Sequence, residues 1–128
     1  VSRLYMSIGP NSSFVGAGLH HPSSDSLKKF HQAIDYDGEK FAKILESQPI
    51  QSFFGELSTY KNDLKTAPRG YDTAHPHNEI LRKKYISLIR ELTEEEVCSD
   101  EFPQLIEDAY CRLENFHDYL EKAITFER

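Results

Sequence analysis

Apolar residues recur at every second position early in the chain and at every third or fourth position later. In Arg3-Leu4-Tyr5-Met6-Ser7-Ile8 the alternation puts Leu4, Met6 and Ile8 on one face of a predicted strand. Gly9-Pro10-Asn11 is turn material, and Ser13 to Leu19 resumes as a second strand. Phe14 and Val15 supply its β character, whereas Gly16-Ala17-Gly18 carries almost no side chain and predicts a bulge or a close backbone approach. Pro22 ends the pairing.

The period then lengthens. Ser23, Ser24 and Asp25 offer N-caps for a helix carrying Leu27, Phe30 and Ile34, and Asp37-Gly38 signals its end. A second helix is expected from about Glu39 to Ser47 with Phe41, Ile44 and Leu45 inward, stopped by Pro49. Ile50 to Leu64 fits either a turn of helix or a short buried strand around Phe53, Phe54 and Leu57. Asn78 to Lys83 reads as a short helix and Tyr85 to Leu92 as a largely buried strand. Thr93 and Glu96 have the spacing of a capping box. From Ser99 to about Phe126, residues Phe102, Leu105, Ile106, Ala109, Leu113, Phe116, Leu120, Ala123 and Ile124 trace one long amphipathic helix. Pro103 falls in its first turn, where its missing N–H has no helical partner in any case.

These elements predict an α+β fold, a small antiparallel sheet with helices over one face and a long C-terminal amphipathic helix. With 128 residues the chain is one domain's worth of protein. Two or three strands make a marginal sheet alone, and Val1 leads straight into the first of them. The expectation is therefore a portion of a larger domain, its sheet completed by a missing N-terminal segment or by a partner chain.

The net charge of −6 argues against a general grip on nucleic acid. Lys61, Lys65, Arg69, Arg82, Lys83 and Lys84 still leave a local basic patch open, while the acids of the last third read as a solvated helix face. Cys98 and Cys111 form no disulfide framework, and Cys111 is expected to be a buried reduced thiol on the last helix. Neither a secretory segment nor an apolar run of membrane-span length occurs, so cytoplasm or nucleus is the expected compartment.

The densest chemistry lies in Ala67-Pro68-Arg69-Gly70-Tyr71-Asp72-Thr73-Ala74-His75-Pro76-His77. Its turn formers fix a loop in one shape, and such loops are where small domains bind or react. Together with the surrounding elements it resembles a known family, the domain of unknown function 2461 family of bacteria and fungi. Four blocks carry the resemblance: Tyr5-Met6-Ser7-Ile8-Gly9-Pro10-Asn11-Ser12-Ser13-Phe14-Val15-Gly16-Ala17-Gly18; Leu64 to Asp72 with His75-Pro76; the strand from Tyr85 with Leu92-Thr93; and the closing helix. The family usually has another glycine where Ala17 stands and an aromatic residue, often Trp, near His20. Its N-terminal half, helices and then a basic strand, has no counterpart here, so the resemblance implies the C-terminal half of such a domain. It implies no activity.

Within the loop, Asp72, His75 and His77 lack the spacing of a metal motif, and Asp72 is better placed to cap its own turn. Arg69, Tyr71 and His75 on one stiff loop suit a carboxylate or phosphate ligand. His20 and His21, at the end of the second strand, would join them if strand and loop are neighbours. The glycines around Gly9 and Gly16 lack a phosphate-loop pattern, and no cofactor motif occurs.

Two functions stay open. One is a non-catalytic binding or interaction module whose surface is the loop Pro68–His77 with the end of the strand at Gly18–His21, using Arg69, Tyr71, Asp72, His75 and His21 for a protein or a small anionic ligand. The other is an enzyme acting on a small anionic or phosphorylated substrate, with Arg69 clamping the anion and His75 as general acid or base.

Overall fold

The computed structural model describes residues 2–19, 22–60, 63–66, 68, 70–72 and 74–125. Three strands, β1 (Ser2–Ile8), β2 (Ser13–Leu19) and β3 (Ile86–Glu91), form an antiparallel sheet in the order β1-β2-β3. Register places Val15, Ala17 and Leu19 opposite Arg90, Leu88 and Ile86. The five apolar members of these pairs form the buried face. Met6 and Ile8 overhang that face and remain exposed, so the alternation in β1 buries less than its pattern suggests.

Close approach of β2 and β3 explains the small residues between them. Gly18 has φ of 134°, and a Cβ built there would lie 1.8 Å from the Ile86 carbonyl oxygen. Only glycine fits.

Helix α1 (Ser24–Glu46) runs through the Asp37-Gly38 stop signal instead of ending there. Asp37 alone leaves helical geometry, at φ −143° and ψ 37°, so the two expected helices are one helix with a kink. Tertiary packing carries it across, because Phe30, Ile34 and Phe41 on both sides of the kink enter the same core. Short helices α2 (Gln48–Gln51) and α3 (Asn78–Leu81) follow. Helix α4 (Glu94–Cys98) starts with the expected capping box. Thr93 accepts from the Glu96 N–H at 3.1 Å, and Glu96 Oε1 accepts from the Thr93 N–H at 3.0 Å.

The long C-terminal helix is present as α5 (Phe102–Arg112) and α6 (Glu114–Thr125), meeting at Leu113, where ψ flattens to −2°. The predicted end at Phe126 lies outside the described residues. Phe41 stacks on Phe116 and Tyr119, with centroids 5.8 and 4.8 Å away, and meets Phe30 edge-on at 5.6 Å. This cluster joins α1 to α6 above the sheet.

The expectation of a buried Cys111 fails. Cys111 is exposed, because it stands two residues and about 200° round the helix from buried Ala109. Arg82 and Lys83 do not supply a free basic patch. Arg82 Nε donates to the Leu64 carbonyl at 2.7 Å, and Lys83 Nζ reaches the Ser58 carbonyl, Thr59 Oγ1 and Asp63 Oδ2 at 3.0, 3.3 and 3.3 Å. Both side chains are tied to Ser58, Thr59, Asp63 and Leu64, and Lys61 and Arg69 lie outside the described residues.

Candidate functional site

The loop earns its shape from local bonds before it touches the rest of the protein. Asp72 Oδ1 accepts from the Ala74 N–H at 2.9 Å, and the Asp72 carbonyl accepts from His75 N–H at 2.9 Å. This is the turn-capping arrangement expected of Asp72. Gly70 provides φ of 94° for the preceding turn. Asn78 and Leu81 then donate backbone N–H groups to the His75 and His77 carbonyls, leading into α3.

Three rings fasten the loop to α1. Tyr71 meets buried His31 edge-on at 6.1 Å and His75 at 6.2 Å, and His77 lies 5.8 Å from His75. Phe30 continues the ring series into the core, 6.2 Å from His31. His77 rests on Gly38, where a Cβ would come within 2.6 Å of its Cδ2 atom. Gly38 is thus a seat for an imidazole as well as part of the kink.

His75 has both ring nitrogens occupied. Its Nδ1 lies 3.0 Å from the His77 backbone N–H, which can only donate. Nδ1 is therefore bare, and Nε2 carries the proton that Asp35 Oδ1 accepts at 2.9 Å. An aspartate–imidazole pair of this kind orients a general base in hydrolases, but there the second nitrogen faces the substrate. Here it faces the chain itself.

The kink is held separately. Tyr119 Oη donates to Asp37 Oδ1 at 2.7 Å, with the Ala33 carbonyl at 3.3 Å alongside. Tyr119→Phe is expected to lower unfolding free energy by about 1–2 kcal/mol, the range for a hydrogen bond to a charged group that is not fully buried. Urea denaturation measures it; an unchanged midpoint would mean that packing alone sets the kink.

His31 is only 7% exposed, and its Nε2 has no hydrogen-bond partner. Burial holds its imidazole below the ordinary histidine range, although the Lys83 and Leu81 carbonyls favour the charged ring. It is neutral at physiological pH.

Tyr71 and His75 do not converge on one cavity. His75 and His77 line a 670 Å³ recess with Asp35, Asp37 and Lys40, whereas Tyr71 lines a 500 Å³ recess with His31, Lys28 and Gly70. Asp35 borders both. Arg69 and His21, two of the expected ligand-binding residues, lie outside the described residues, as does His20.

Sequence reasoning missed Asp35, His31 and the seat at Gly38. His31 was findable, since it continues the Leu27–Phe30–Ile34 stripe at i+4 from Leu27. Nothing local marks Asp35, which is forty residues from His75. Among the described residues, no group of three or more His, Cys, Asp or Glu side chains is placed to hold a metal ion. No helix there is long and apolar enough to cross a membrane.

The profile of a family described as "Conserved hypothetical protein (DUF2461)" matches residues 1–119, nearly the whole chain. The chain belongs to this family. The resemblance carried by the strand, loop and closing-helix blocks is thereby shown, and DUF2461 is a family whose description names no activity. No curated protein and no solved structure is significantly similar to the chain. For this DUF2461 member, function must be argued from its own geometry.

Proposed function

We propose that this domain is a non-catalytic binding module whose surface is the loop Pro68–His77 together with the kinked middle of α1. One observation carries the reading: both nitrogens of His75 are committed to the chain's own groups, at 2.9 and 3.0 Å. A general acid or base needs a nitrogen facing its substrate. The separation of Tyr71 and His75 into two recesses supports the same reading.

Charge favours a protein segment over a small anion as the ligand. The recess beside His75 is bordered by Asp35, Asp37 and Glu39 against Lys40 and Lys43, and Lys43 already sits 3.7 Å from Glu39. Tyr36, 86% exposed at the same rim, offers the kind of ring that anchors protein contacts. The free side of β1, unpaired among the described residues, fits a further strand from a preceding segment or a partner chain.

The enzyme reading has one observation in its favour, the 2.9 Å Asp35–His75 contact. A single comparison separates the two. The chain is probed on an array of short peptides and, in parallel, with p-nitrophenyl phosphate and p-nitrophenyl acetate. The binding reading expects peptide binding that falls at least about tenfold in the folded double variant Tyr36→Ser/Pro76→Ser, with no turnover above buffer. Turnover lost in His75→Gln would establish the enzyme and overturn the binding reading.

A further inference from the structure

We propose that the groove between α1 and α6 docks against the same groove of a second copy of this chain, the two helix pairs packing about a two-fold axis. This goes beyond the binding reading above and does not depend on it.

The two helices run antiparallel. Tyr119 reaches Ala33 and Asp37, whereas Phe41, further along α1, stacks on Phe116, which comes earlier in α6. Between them lies a groove of about 730 Å³. Ala33 from one helix and Ala123 from the other keep it open, and Ile44 and Tyr119 add apolar wall. Tyr36 stands on the rim, 86% exposed, the most exposed large hydrophobic residue among those described. A projecting ring beside a hollow lined by small residues suits a two-fold contact, in which one patch serves both copies. Two antiparallel helix pairs brought together in this way form a four-helix layer.

The charges of the groove complement themselves in the same sense. Asp37 precedes Lys40 by three residues on α1, Asp118 precedes Lys122 by four on α6, and all of them line the groove. When a helix faces its own copy antiparallel, the acid of each comes opposite the lysine of the other. Elsewhere such spacings close within one helix, as in Asp25–Lys29 at 3.5 Å and Asp108–Arg112 at 3.1 Å. Here they do not: among the described residues Lys40 and Lys122 make no ion pair. Asp37 accepts the Tyr119 hydroxyl on Oδ1, which leaves Oδ2 for the copy's Lys40. Asp118 lies 3.7 Å from His117 Nδ1 and is 55% exposed, open to the copy's Lys122.

Net charge narrows the choice of face. The chain carries −6, so two copies repel one another on average. In the groove two acids balance two lysines, so that repulsion is least where the charges interlock. Tyr36 and Lys40 also border the His75 recess, so a second copy and a bound peptide would compete for them.

Sedimentation equilibrium of the whole chain, with no peptide present, tests the proposal. The expected result is monomer at about 1 μM and dimer at about 300 μM, the range of a small, transient interface. Asp118→Lys and Lys122→Asp, at exposed positions, should each weaken dimerisation at least about tenfold by setting like charges opposite one another. Mixed in equal amounts, the two variants should regain the wild-type affinity, because each supplies the charge that the other lacks. Tyr36→Ser should also cost at least about tenfold. Monomer alone at about 300 μM, charge variants that dimerise like the wild type, or a folded mixture that stays monomeric would each overturn the proposal. If a variant does not fold, amide shifts of the wild type on dilution decide. They must change at Tyr36, Lys40, Asp118 and Lys122; changes confined to β1 would put the contact at the sheet edge and overturn it. A chain that dimerises through the groove and binds no peptide would sink the binding reading alone. One that binds peptide and stays monomeric at every concentration would sink this proposal alone.

Discussion

Gly18→Ala is expected to destabilise the domain by roughly 3 kcal/mol or more, a large part of the total stability of a domain this size. Two costs combine. The residue's φ of 134° is a conformation that an L side chain rarely adopts, and its new Cβ would fall 1.8 Å from the Ile86 carbonyl oxygen. Relief requires β2 and β3 to separate at the pairs Gly18–Ser87 and Leu19–Ile86, which hold buried residues. The melting temperature should fall by roughly 10 °C or more, measured by circular dichroism. A fall within about 2 °C would mean that the two strands are not this close.

Phe41→Ala is the second large effect, at about 3–5 kcal/mol. Its ring is fully buried and touches Phe30, Phe116 and Tyr119, so truncation leaves a cavity where α1, α6 and the core meet. Urea denaturation with an unchanged slope would give the value cleanly. The substitution also weakens the support on one side of the Asp37 kink. Exchange protection of 70–77 should therefore drop along with global stability, whereas Tyr36→Ser, at an exposed position, should leave both intact. A loss below about 1 kcal/mol would show that the aromatic cluster is not the joint between the two helices.

Much of the fold could be read from local pattern. Ser13 to Leu19 was bounded correctly because turn residues flank it, and the Thr93–Glu96 box follows from chemistry within four residues. The errors came where tertiary packing overrode a local signal. Asp37-Gly38 reads as a helix end, yet Phe41 and Ile34 lie in one core and hold the helix together across it. Cys111 sits among apolar neighbours in the sequence, but its angular position on the helix turns it outward. The candidate site was half legible. The sequence marked the stiff loop, Tyr71, Asp72 and His75, but not the helix it lies on, because Asp35, His31 and Gly38 come from a separate segment with no motif of its own.

The most direct test of a loop locked on α1 is the protonation state of one ring. Nitrogen-15 spectra of the neutral His75 imidazole should show a single tautomer, with the proton on Nε2 and a bare, hydrogen-bonded Nδ1. A proton on Nδ1 with Nε2 bare, or a ring averaging between tautomers, would mean that His75 is free of Asp35 and of the His77 amide, and the account of a fixed, non-catalytic surface would fall.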